Sequence, residues 1–281
     1  MKVIKNLWSF FIYSNLFIAV CAALMVKQSY DLLLIIPSDF NFITFVFFST
    51  LCSYSFHWYF SDNSVIQSER LNWVEKFRSI HLFFFISGLA GTALFISGLL
   101  NFWSWLLPAA IATFLYSAPK IPNKYLRWLR KFAWGKTIFL AAVWTYVTAV
   151  LPVLFSGKVW DASITCFIGS RYFLTYAICI LFDLRDKEDD KAAGIRSFII
   201  YLSEKNIQLL FTFSLLLFTV FTMLLYNQGF GLTDISLLLI PGILLSLLYT
   251  KASRNFSDML YYFTLDGLLA LSSILTLLAR I

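Results

Sequence analysis

The sequence predicts an all-α, polytopic membrane protein with nine transmembrane helices in one bundle, and three observations predict it. Hydrophobic residues make up 60% of the 281 and charged residues only 13%, with a mean hydropathy of +0.78, where soluble domains carry about 25% charged residues. The apolar residues are gathered into nine stretches of near-spanning length. The basic residues fall between those stretches, almost all on one side.

In chain order the stretches are Leu7–Val26, Asn41–Phe60, Leu82–Leu100, Phe102–Ser117, Ile138–Phe155, Ala162–Phe182, Ile207–Tyr226, Ile235–Thr250 and Met259–Leu278. Each approaches the ~20 residues that a helix needs to cross hydrocarbon, the fourth and eighth being the shortest. Lys2 and Lys5 precede the first stretch in the manner of a secretion signal. No A-x-A pattern follows, and Val20 before Cys21 is a poor lipoprotein junction, so a retained helix is expected. With a cytoplasmic start, eighteen of the 22 basic residues lie inside, against Lys27, Lys158 and Arg280 outside and Arg171 within a span. The positive-inside rule therefore places the N-terminus and the basic loops on the cytoplasmic face of the inner membrane.

A net charge of +7 is accounted for by basic loops beside anionic lipid, so no nucleic-acid partner is expected. Cys21, Cys52, Cys166 and Cys179 all sit in apolar stretches, which argues against a disulfide framework or a CxxC metal site. No repeat or linker divides the chain, so residues 1–281 read as a single domain. Its polar mass lies in three cytoplasmic cap loops at about 61–81, 118–137 and 183–206.

The third loop carries the chemistry. DLRDKEDDKAAGIRS, Asp183 to Ser197, holds five acidic residues directly after an apolar stretch. If the helix continues for two turns, Asp183, Asp186 and Asp190 fall within an arc of about 60°. Carboxylates sharing a face repel each other unless a cation joins them, and Mg²⁺ with a phosphorylated ligand suits such oxygen donors. The same stretch also reads as a solvated charge run, because Arg185, Lys187 and Lys191 nearly balance the acids. Spacing leaves both readings open.

The stretch resembles the second aspartate-rich motif of the UbiA family of intramembrane prenyltransferases, in which D-x-x-D, a further Asp and then Lys or Arg precede A-x-G-x-x-T or S. Asp183, Asp186, Asp190, Lys191, Gly194 and Arg196 match it in place. Tyr116-Ser117-Ala118-Pro119-Lys120-Ile121-Pro122 is similar to the family's YS-x-P loop after helix four. The resemblance implies nine helices around a lipid-facing cavity, with Mg²⁺ holding a polyprenyl diphosphate beneath the cap and a lipophilic, for example aromatic, acceptor receiving the prenyl group. It makes Asp183, Asp186 and Asp190 metal ligands and assigns catalysis to Asp183, Asp186 and Lys120. Substrate contacts fall to Tyr116, Lys120, Lys124, Lys191 and Arg196. Metal ions and lysines can neutralise a departing diphosphate without proton transfer, which suits ionisation of an allylic substrate. Aromatic residues, 19% of the chain, are compatible with an allylic cation but are equally ordinary in lipid.

The family's first motif, N-x-x-x-D-x-x-x-D at the end of helix two, is incomplete. With Asp62 as its first aspartate, Trp58 stands at the Asn position and Ile66 at the second aspartate, leaving Glu69 as a substitute metal ligand from the next turn. Three readings follow: an enzyme with a reduced metal set, an enzyme for another lipid phosphate, or a catalytically impaired lipid-binding or transport protein. Transport has little support, since no paired broken-helix pattern appears in two halves. A phosphoalcohol transferase is weaker still, because its D-G-x-x-A-R type signature does not follow Asp266-Gly267. His57 and His81 are expected to be hydrogen-bonded near helix ends, and Ser14 and Asn15 to be packing polar groups. Arg171 is expected to pair with Asp266 or to line the cavity.

Overall fold

The computed structural model describes residues 2–60, 68–117, 135–192, 194–195 and 197–280, and every regular element among them is helical. In order these are α1 (Lys2–Tyr13), α2 (Leu16–Gln28, continued by a π turn Ser29–Leu34), α3 (Phe40–Tyr59), α4 (Glu69–Lys76) and α5 (Arg78–Ile96). A 3₁₀ stretch Ser97–Phe102 leads into α6 (Trp103–Ser117). The second half comprises α7 (Lys136–Thr145), a π turn Tyr146–Val150, α8 (Leu151–Ser156), α9 (Ala162–Arg185), α10 (Lys187–Ala192), α11 (Glu204–Leu224), α12 (Leu232–Ala252), a π turn Leu260–Leu265 and α13 (Asp266–Leu278). Several starts are set by side-chain caps: Asp39 accepts from the Phe42 amide, Ser68 from Leu71, Asp161 from Ile164 and Ser203 from Asn206. Each cap satisfies an amide that the first helical turn leaves without a partner.

Seven helical stretches among the described residues are long and apolar enough to cross a membrane, against the nine expected. One source of the difference is α3, which spans 20 residues but is lowered in hydropathy by Ser49, Thr50, Ser53, Tyr54 and His57. All five of those residues line an internal cavity and are kept from lipid. The other source is the 39-residue run Arg78–Tyr116, which joins the third and fourth expected stretches. Gly88 packs on Cys52, Gly91 on Phe48 and Gly98 on Asn41, so α5 descends antiparallel to α3. Tyr116 then stacks on His57 near the opposite end of α3, so α6 returns across the layer.

The first expected helix, Leu7–Val26, is broken. Asn15 adopts φ 70°, ending α1, and the membrane-length stretch becomes Leu16–Leu34. Asparagine tolerates this left-handed backbone better than most residues. Its side chain also gains three buried contacts there: Nδ2 donates to Ser55 Oγ at 3.3 Å and approaches His81 Nδ1 at 3.4 Å, while Oδ1 accepts from Arg70 Nη2 at 2.6 Å. Asn15 thus acts across helices as expected, whereas Ser14 turns back to the Phe11 carbonyl. Lys27, expected in an outer loop, lies in α2 and pairs with Asp31 at 2.9 Å.

Arg171 does not pair with Asp266. Its guanidinium donates to Gln28 Oε1 and, at 3.4 Å, to the Leu269 carbonyl, and it lies over the Phe167 ring at 5.2 Å. Gln28 also accepts from Ser272 and Ser273 and donates to Thr276 at 3.0 Å, tying α2, α9 and α13 together. A charge within a span must be solvated by protein, and this amide–hydroxyl group does so.

Close approach of α5 to α3 depends on Gly88, where a Cβ would lie 2.6 Å from the Cys52 amide nitrogen. Gly88→Ala is expected to destabilise the protein by about 1–3 kcal/mol through forced separation of the two helices, read as a lower midpoint of thermal unfolding in detergent.

Candidate functional site

The cavity occupies about 780 Å³ and is lined mainly by apolar side chains of α3, α6 and the α7–α8 run. Its polar groups are concentrated at one end, where the last turns of α3, α6 and α9 meet the first turn of α7. Tyr116, Lys136, Asp183 and Asp186 line that end, with Arg70 and Asp266 on its wall.

Lys136 organises the polar end. Its Nζ lies 3.3 Å from Asp183 Oδ1 and 3.0 Å from Asp190 Oδ2. Thr137, the next residue, donates its hydroxyl to Asp183 Oδ2, so both oxygens of that buried carboxylate are occupied by α7. Burial pushes the Asp190 carboxyl above the ordinary aspartate range, and the adjacent ammonium opposes that shift. The expected single helix is interrupted here: α9 ends at Arg185 and Asp186 caps it, its amide bonding to the Phe182 carbonyl at 2.9 Å, while the Asp190 amide in α10 bonds to the Asp186 carbonyl at 2.8 Å. Asp183 from the last turn of α9 and Asp190 from α10 therefore reach the same ammonium.

A second charged cluster lies beside it. Asp258, in the segment between α12 and α13, accepts from the Arg70 amide at 2.7 Å and from Arg185 Nη2. The Arg70 guanidinium is held between the Trp58 and Tyr262 rings, 4.0 Å from each centroid. Arg185 lies 4.6 Å from the Tyr262 centroid and 5.0 Å from that of Tyr261. Burial draws Arg70 below the ordinary arginine range, while Tyr262, Asp266 and Asp258 oppose the shift. Three elements distant in sequence are joined by one carboxylate.

The structure brings together Asp183, Asp186, Asp190 and Tyr116, and adds Lys136 and Arg70, which sequence reasoning counted only as loop cations. Lys136 carried a usable signal: it opens an i, i+4, i+7 apolar pattern, Leu140, Val143, Trp144, that faces the cavity. Arg70 and Asp258 meet across 188 residues and had none. Glu69 is exposed on α4, and Lys191 is exposed on α10. Asp62, Lys120, Lys124 and Arg196 lie outside the described residues. His57 lines the cavity and stacks on Tyr116 at 5.5 Å, while His81 is buried against Asn15.

The described residues thus form a helical bundle of membrane-spanning length whose mostly apolar chamber ends in carboxylates and a lysine. The chain belongs to the UbiA prenyltransferase family, which matches residues 75–265. It is also similar to the solved structure of digeranylgeranylglyceryl phosphate synthase in membranes, with a TM-score of 0.52 and 16% identity over 96% of this chain and 98% of that one. At that identity the likeness concerns the fold. No curated protein sequence matches the chain.

Removing Asp258 strands a buried arginine. Asp258→Ala is expected to lose about 3–5 kcal/mol of stability, and Asp258→Asn less, since an amide oxygen still accepts from the Arg70 backbone; thermal unfolding of the two variants checks the order.

Proposed function

We propose that the protein transfers a polyprenyl group from an allylic diphosphate to a lipophilic acceptor, with the diphosphate and Mg²⁺ at the polar end of the cavity and the tail in its apolar part. The observation that carries this reading is the placement of Asp183, Asp186 and Lys136 together at one end of an otherwise apolar chamber.

The donor set fits the metal in a particular way. Among the described residues no three acidic, histidine or cysteine groups form a ready cage. Mg²⁺ is ordinarily held by one or two carboxylates plus substrate phosphates and water, and Asp183 and Asp186 supply the former. Asp190, joined to Lys136, stands behind them, and Asp62 remains a further candidate from the segment after α3. When bound, Mg²⁺ offsets negative charge on the departing diphosphate. Lys136 adds a fixed cation beside that charge, oriented by two carboxylates, which reduces reorganisation as the bond breaks. The apolar walls exclude water from the allylic cation, and an aromatic face turned to the cavity can stabilise it by roughly 0.5–2 kcal/mol. Lys120 and Lys124, which follow Tyr116 in the chain, together with Arg196 and Lys191, are proposed to meet the phosphates on the cytoplasmic side.

One observation favours a second reading, a lipid-binding protein without turnover. Lys136 is already paired with both Asp183 and Asp190, and Glu69 is exposed on α4. Turnover separates the readings: diphosphate release in the presence of an acceptor supports the enzyme, and saturable binding without release supports the lipid binder.

Calorimetry with farnesyl diphosphate, with and without Mg²⁺, tests the site itself. Asp183→Ala and Asp186→Ala are each expected to abolish the Mg²⁺-dependent heat; unchanged binding in both removes the metal site. Lys136→Met is expected to weaken binding at least about tenfold by deleting a charge-assisted contact, with a larger loss when Mg²⁺ is limiting.

A further inference from the structure

The α7–α8 run lines the cavity along its whole depth. Lys136 stands at the polar end, and Leu140, Trp144, Val147 and Leu151 follow at helical spacing down one face. From Lys136 to Leu151 this stripe is about 20 Å long at a rise of 1.5 Å per residue. The next position on the stripe is Phe155, and it does not line the cavity. Its ring stacks on Phe102 with centroids 4.4 Å apart and meets Phe42 edge-on at 4.7 Å. Phe42 comes from the first turn of α3 and Phe102 from the 3₁₀ corner between α5 and α6. Three separate elements therefore converge at the end of the chamber opposite the carboxylates, and each contributes a phenyl ring.

We infer that this aromatic floor, with Phe155 at its centre, is the length gauge for the isoprenoid tail, selecting a prenyl diphosphate of about four isoprene units. The inference rests on the prenyl-diphosphate reading of the site. Three bonds of a peptide link span 3.80 Å, so the four-bond repeat of an isoprene unit extends about 5 Å, and a stripe of about 20 Å accommodates about four units. The floor is rigid because Phe42 is fully buried and the rings pack on one another, so a fifth unit that continues straight down the stripe must displace aromatic surface rather than water. The wall formed by α5 and α6 is different: Leu100, Trp103 and Leu107 line the cavity and are also exposed to the surroundings, offering a longer tail a sideways exit.

The test is a binding series in the purified full-length protein with Mg²⁺ and diphosphates of two, three, four, five and six isoprene units. Wild-type affinity should rise with each unit to four and not beyond. Phe155→Ala should raise the five-to-four affinity ratio about tenfold by opening apolar volume for the extra unit, and Val147→Phe, which fills the stripe about two turns higher, should lower the four-to-three ratio by a similar factor. Phe155→Leu provides the same direction of change in a better-packed variant, should the alanine variant not fold. Affinity that keeps rising at five and six units in the wild type, or ratios that none of these variants moves, overturns the gauge and means that the tail leaves between α5 and α6; the diphosphate site then stands. Absence of binding by any diphosphate to the wild type overturns the site and the gauge together.

Discussion

The constraint that organises this protein is the cost of keeping charge inside a membrane bundle. Lys136 bridging Asp183 and Asp190 is its central expression. Taking two carboxylates out of water would be prohibitive alone, and one ammonium between them, with the Thr137 hydroxyl on the remaining oxygen of Asp183, makes the arrangement tenable. The same bridge fixes the start of α7 against the end of α9. Those two helices then hold the polar end of the chamber in register, so the stability of the bundle and the electrostatics of the site depend on one interaction.

The cluster around Asp258 follows the same logic with different chemistry. Here one carboxylate joins two arginines, and the aromatic faces of Trp58, Tyr262 and Tyr261 supply the rest of the solvation. Guanidinium groups suit this environment because they are planar and weakly hydrated. The cluster links α4 to the end of α9 and to the segment before α13. Deeper in the bundle no carboxylate among the described residues meets Arg171, and Gln28 with the hydroxyls of α13 takes that role.

The contrast between the two ends of the chamber suggests a division of labour. At the carboxylate end, ions and hydrogen bonds set the local chemistry. At the opposite end the described lining is mostly rings and aliphatic side chains with a few hydroxyls and no charge, so shape dominates there. Between them runs the face of α7 and α8, a single helical stripe that passes from ammonium to phenyl.

Much of this was legible in the sequence. Composition and the distribution of basic residues determined a helical membrane bundle, because hydrocarbon admits few backbone solutions. The spacing of Asp183, Asp186 and Asp190 predicts a shared face only for one continued helix; α9 instead ends at Arg185 with Asp186 as its cap, and Lys136 is what joins Asp183 to Asp190 on α10. The break at Asn15 was not legible, since it depends on Ser55, His81 and Arg70 arriving from three other helices to satisfy one amide side chain. Only the tertiary structure decided the partners of the buried charges: Arg171 with Gln28 rather than Asp266, Arg70 with Asp258, Lys136 with two aspartates. Local periodicity fixes which face of a helix is apolar. Which buried charge meets which is settled by the packing of helices far apart in the chain, where an ion accepts whatever partner spares it from lipid.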